Sequence, residues 1–212
     1  SGATLRRDTA VMVAAAFALV PIFAMSEMGR FAGGLLVLGL AGYLTWTYLQ
    51  PGDDVAEDID ALAQASALVS VLWVVGGLVI LMVGARFLVD GSVSIARGFG
   101  VSEAFIGLTI VAVGTSLPEL ATSIIAAFKR HSEIAIGNIV GSNIFNVLGI
   151  LGITALIKPI PVADRFLTFD LPIMIAVSLV LTALLLTRRV IGRGVGLAAL
   201  VGYTAYVWAA QG

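Results

Sequence analysis

Of the 212 residues, 59% are hydrophobic and 12% are charged, where a soluble domain carries roughly 25% charge, so the chain reads as an integral membrane protein. Its formal net charge of -1 offers no basic face for nucleic-acid phosphates. It has no cysteine, which excludes disulfides, thiolate metal sites and cysteine nucleophiles.

Apolar runs separated by charged or turn-rich breaks give seven candidate spans, near 9–26, 32–49, 67–89, 104–128, 134–157, 171–187 and 194–210. Each approaches the roughly 20 residues that cross about 30 Å of hydrocarbon as a helix. The expected fold class is all-α, a polytopic membrane protein with about seven transmembrane helices. Two helices fill residues 1–50. Pro51-Gly52-Asp53-Asp54, then Glu57, Asp58 and Asp60, make 51–66 an acidic linker, and 67–212 holds the other five helices. The linker lacks the D-x-D-x-D-G order of a helix-loop-helix calcium site and reads as a solvated connection.

An odd number of crossings puts the termini on opposite sides. The side of the N-terminus carries Arg6, Arg7, Lys129, Arg130, Arg188, Arg189 and Arg193, and the other carries Arg30, Arg86, Arg97, Lys158 and Arg165. By the positive-inside rule the N-terminal end and the 51–66 loop are cytoplasmic and the C-terminus is outside. His131 falls in the short Lys129-Arg130-His131 connection and reads as a surface residue. Arg86 and Asp90, four apart, read as an ordinary ion pair. Most Trp and Tyr residues lie near span ends, as interfacial anchors do.

A faint internal echo links the second span, with Gly29-Arg30 and Gly42-Tyr43, to the last, with Gly192-Arg193 and Gly202-Tyr203. An offset of five helices inverts the second copy in the membrane. That is the inverted-repeat plan of many transporters, with the site at the repeat interface near the midplane.

Glu119 lies deep in the fourth span, after Gly114-Thr115-Ser116-Leu117-Pro118. An ionisable group at bilayer depth costs several kcal/mol unless compensated, and by default marks an ion or substrate pathway. Pro118 donates no backbone hydrogen bond, so carbonyls near Thr115 are released beside the carboxylate. Thr122 and Ser123 lie one turn further and read as back-bonded or packing hydroxyls. In the fifth span Asn138, Ser142 and Asn146 recur every four residues with Asn143 alongside, which predicts one polar stripe. Gly137 and Gly141 form a small-xxx-small pair inviting close helix approach.

Calcium takes six to eight oxygens from carboxylates, carbonyls, amides and water, and sodium also prefers oxygen. A single carboxylate leaves a calcium ion undercompensated at low dielectric, so a second acidic residue is expected from elsewhere. An enzyme is disfavoured: the one histidine sits in a loop and Glu119 has no carboxylate mate in its span. A channel or non-transporting assembly subunit stays open.

Gly114-Thr115-Ser116-Leu117-Pro118-Glu119-Leu120, followed by Gly137-Asn138-Ile139-Val140-Gly141-Ser142-Asn143-Ile144-Phe145-Asn146, resembles the second alpha-repeat of the sodium/calcium exchanger family within the cation/calcium antiporters. Gly100-Val101-Ser102 and Ile106-Gly107-Leu108-Thr109 share the likeness. The resemblance implies a ten-helix exchanger of two inverted five-helix repeats, of which this chain corresponds to helices four to ten, with the cation-binding alpha-repeat at about 104–157. It implies Glu119 as main ligand of transported Ca2+ and Na+, oxygens from Thr115 and Ser116, completion of this half by Ser142 and Asn146, and a lesser role for Asn143. It implies no cofactor, and a prokaryotic-type plasma (inner) membrane. Potassium-using members tend to have Asp where Asn146 stands, so the chain is expected to be potassium-independent. The proton-coupled branch lacks the Thr-Ser-Leu-Pro run, yet a cation/proton antiporter remains the alternative. The first alpha-repeat and its acidic ligand are absent. The start, Ser1-Gly2-Ala3, reads as a cut end, so the expected partners are the lipid bilayer and a missing N-terminal half, or a second chain.

Overall fold

The computed structural model describes residues 2–50, 67–101, 106–187 and 192–209. They are almost entirely helical: α1 (Gly2–Phe23), α2 (Arg30–Leu49), α3 (Ala67–Gly98), α4 (Ala112–Thr115), α5 (Leu117–Phe128), α6 (Ser132–Ile144), α7 (Gly152–Ile157), α8 (Leu171–Thr187) and α9 (Arg193–Ala209). Wider π-helical turns at Gly107–Val111, Phe145–Leu151 and Phe166–Asp170 lead into α4, join α6 to α7 and lead into α8. Four helical stretches among the described residues are long and apolar enough to cross a membrane: Arg30–Leu49, Leu68–Gly98, Ser132–Ile157 and Phe166–Thr187. The pair Thr109–Thr115 and Leu117–Phe128 makes a fifth if counted as one bent span. The acidic linker 51–66 lies outside the described residues.

The chain divides into two compact units. One joins α1 and α2 with the chain from Ile136 through α8, and the other holds α3, the chain up to Ala135, and α9.

In the first unit α1 packs on α8 and α2 on α7. Buried Met12, Ala15 and Leu19 of α1 recur at helical spacing and meet Leu36, Ile144, Ala155 and Leu185 in one core. Thr9, the buried polar side chain of α1, donates its hydroxyl to the Leu5 carbonyl at 2.7 Å, which removes the cost of an unmade bond. The α2–α7 contact needs glycine at position 33. A Cβ there would lie 2.7 Å from the Gly152 carbonyl oxygen and 2.8 Å from the Leu156 nitrogen. No heavy atom lies within 4 Å of a Cβ built at Gly137 or Gly141 among the described residues. The close helix approach expected there occurs at Gly33 instead.

One small sheet departs from the all-α expectation. Glu27–Met28 (β1) pairs antiparallel with Ile160–Pro161 (β2), Glu27 opposite Pro161 and Met28 opposite Ile160. The Val162 N–H extends the pairing to the Ser26 carbonyl at 2.9 Å, and Met28 is wholly buried. The sheet ties the α1–α2 connection to the α7–α8 connection.

In the second unit α3 runs to Gly98, beyond the expected end near 89. Arg86 and Asp90 pair across one turn at 3.8 Å, so these charges lie along a continuing helix instead of ending it.

Candidate cation site

The acidic half of the predicted site is built on a broken helix. α4 and α5 meet at Ser116 with a bend of 54°, and Ser116 leaves helical geometry with φ -94 and ψ 4. Pro118, second residue of α5, has no N–H for the Gly114 carbonyl one turn earlier. The backbone closes locally instead: Ser116 N–H bonds the Val113 carbonyl at 3.1 Å, and Leu120 N–H bonds the Ser116 carbonyl at 2.9 Å.

Gly114 seats the segment before the break on α3. It is buried against α3, and a Cβ there would fall 2.0 Å from Val89 Cγ2. Only a residue without a side chain lets α4 lie that close to α3.

Glu119 occupies the first turn of α5. It is half-buried, and its Oε2 is shielded from solvent. The unpaired N–H groups and positive dipole end of a helix favour an anion at that position. Thr115 and Ser116 are exposed at the break itself. The Thr115 hydroxyl donates to the Ala112 carbonyl at 3.0 Å, which leaves its oxygen lone pairs as acceptors for a cation. Thr122 donates to the Pro118 carbonyl at 2.8 Å, the back-bonded role expected for it.

The amide half lies in the other unit, on α6 and the π turn after it. Ser142 is half-buried, and Asn143 and Asn146 are exposed. The Ile139 carbonyl accepts from Ser142 Oγ at 3.1 Å and from Asn143 Nδ2 at 2.8 Å. Both donors are thereby engaged on the backbone, and the hydroxyl and amide oxygens remain as acceptors.

Asn146 is the second residue of the π stretch Phe145–Leu151. A four-residue stripe assumes α-helical pitch throughout, and Asn146 falls where i→i+5 bonding replaces that pitch. Such π turns are rare and often occur at functional sites. Sequence periodicity did not reveal either this turn or the one at Gly107–Val111, and it did not reveal the seat of Gly114 on Val89.

No group of three or more His, Asp or Glu gathers among the described residues. Thr115, Ser116 and Glu119 offer hydroxyl, backbone and carboxylate oxygens in the second unit, and Ser142, Asn143 and Asn146 offer hydroxyl and amide oxygens in the first, all donor types suited to hard cations.

The sodium/calcium exchanger protein family model matches residues 69–211. The chain is 41% identical over 127 residues to the sodium/calcium exchanger MaX1 of Methanosarcina acetivorans, covering 60% of this chain and 36% of the relative. It is 43% identical over 145 residues to the inner membrane protein YrbG of Escherichia coli, covering 68% of this chain and 44% of the relative. A solved structure of the sodium-calcium exchanger NCX_Mj, soaked with zero Na+ and Ca2+, superposes with a TM-score of 0.74 and 28% identity, covering 97% of this chain and 65% of that one. The chain therefore spans less than half the length of both relatives and about two thirds of the solved exchanger. With the family model matching well over half of its residues, the chain belongs to the sodium/calcium exchanger family, a family of transporters.

Proposed function

We propose that the chain supplies half of the cation site of a secondary antiporter that exchanges sodium for calcium across a membrane. The observation that carries this reading is the break at Ser116, which puts the Glu119 carboxylate in the first turn of a half-helix directly after two hydroxyl residues. Discontinuous helices whose ends and released carbonyls meet the transported ion are a recurring transporter device.

In this reading Glu119 is the charged ligand for both ions. Thr115 and Ser116 add hydroxyl or carbonyl oxygens, Ser142 and Asn146 complete the half site, and Asn143 contributes less. Sodium and calcium compete for the same oxygens, and competition at one alternately exposed site makes exchange obligatory. The second carboxylate that calcium requires comes from an N-terminal half carrying the first alpha-repeat, or from a second chain. The seven spans expected from the sequence then correspond to helices four to ten of ten, with residues 1–50 closing the first repeat and 67–212 forming the second. The N-terminal end and 51–66 face the cytoplasm of a prokaryotic-type plasma membrane and the C-terminus faces outward. The exchanger names carried by MaX1 and NCX_Mj support sodium and calcium as the ions.

The test is calcium uptake into sodium-loaded vesicles containing the complete transporter. Glu119→Gln is expected to abolish sodium-driven uptake, and uptake that depends on a proton gradient alone would favour a cation/proton antiporter instead.

A further inference from the structure

The turn between α5 and α6 consists of Lys129, Arg130 and His131, all exposed. Two backbone bonds close it, Arg130 N–H to the Ala127 carbonyl at 3.1 Å and His131 N–H to the Ala126 carbonyl at 2.8 Å. Arg130 takes the left-handed conformation, φ 63, completing the C-terminal cap of α5. The chain thus reverses within three residues and concentrates three basic side chains between two helix ends.

Among the described residues, none of these three side chains has an ion-pair or side-chain hydrogen-bond partner. Some other basic residues are neutralised, as Arg7 is by Asp8 at 2.9 Å and Arg165 by Asp170 at 3.4 Å. Glu133, two residues beyond the turn, forms no ion pair with it among the described residues. Apolar side chains flank the charges: Phe128 is 86% exposed on one side and Ile134 is 55% exposed on the other.

We propose that Lys129, Arg130 and His131 recognise the phosphodiester headgroup of an anionic glycerophospholipid. Uncompensated positive charge fits the phosphate, and the flanking Phe128 and Ile134 fit the acyl boundary beneath it, a combination that a free anion does not use. The lipid would sit at the far end of the half-helix bearing Glu119, about 15 Å from that residue at 1.5 Å per residue. The inference rests on the membrane-spanning reading of α5 and α6 but not on the identity of the transported ions.

Because the chain has no cysteine, Ser132→Cys provides a single labelling point beside the turn. The chain with a donor fluorophore there is reconstituted into phosphatidylcholine vesicles containing acceptor-labelled phosphatidylglycerol or, in parallel, acceptor-labelled phosphatidylcholine. Energy transfer is expected to be greater to phosphatidylglycerol. The excess association should fall about five-fold for each Lys or Arg neutralised, so that Lys129→Gln/Arg130→Gln removes most of it while Lys129→Arg/Arg130→Lys keeps it. A donor at Asp164→Cys is expected to see no excess. Equal transfer to the two lipids, or an excess that survives Lys129→Gln/Arg130→Gln, would overturn the proposal. So would an excess abolished by inorganic phosphate at constant ionic strength, which would assign the turn to a soluble anion. The readout contains no transport step, so its failure is distinct from a failure of sodium/calcium exchange.

Discussion

At the level of single residues the decisive contact is between Gly114 and Val89. A methyl group at position 114 would overlap Val89 Cγ2, and overpacking of that kind costs about 1–3 kcal/mol. Gly114→Ala is expected to lower the midpoint of thermal unfolding in detergent, and Val89→Ala in the same chain is expected to restore most of the loss. A loss that Val89→Ala leaves untouched would mean that the two helices do not meet there. The interruption of the helix before Glu119 was legible in the sequence because a proline after a glycine and two hydroxyl residues inside an apolar run has few other structural explanations. The seat on Val89 was not, because nothing in a glycine's identity names the side chain that requires it. At position 146, Asn146→Asp is expected to introduce a potassium effect on calcium uptake by the complete transporter, measured as uptake with and without potassium. Uptake equally insensitive to potassium in both forms would detach Asn146 from ion selection.

Among the elements, the helix pairs separate close packing from open faces. Gly33→Ala puts a methyl group against backbone atoms of α7 and is expected to destabilise by about 1–3 kcal/mol. Gly137→Ala enters open space and is expected to stabilise by up to about 1 kcal/mol through helix propensity alone. Comparing the two variants by thermal unfolding tests the α2–α7 contact, and equal effects would contradict it. At the cap of α5, Arg130→Gly is expected to stabilise by about 0.5–1 kcal/mol, because a non-glycine residue in the left-handed region costs roughly 1–2 kcal/mol and glycine's greater unfolded-state entropy offsets part of the gain. The helices were legible because their apolar runs are long. The π turns were not, since a single inserted residue per turn leaves the composition unchanged and shifts only the phase of a pattern. The β1–β2 pair was also missed: two residues per strand are too few for an alternating pattern to register. The helical continuation of α3 past residue 89 was missed for another reason, because Asp90 reads as a boundary when its pairing with Arg86 along one helix face is not considered.

For the whole molecule, the proposed exchange needs more than this chain contains. A calcium ion held by the single carboxylate Glu119 and neutral oxygens stays undercompensated, so the chain reconstituted alone is expected to give no sodium-coupled calcium flux, while a complete exchanger containing it does. Coupled flux from the chain alone would show that copies of it supply the second carboxylate to one another. The measurement that bears most directly on the central claim is sodium-driven calcium uptake by the complete transporter carrying Glu119→Gln, with the variant's correct folding verified by an unchanged thermal midpoint. Uptake at the level of empty vesicles is expected, and uptake close to that of the parent protein would contradict the role of Glu119 as the charged ligand.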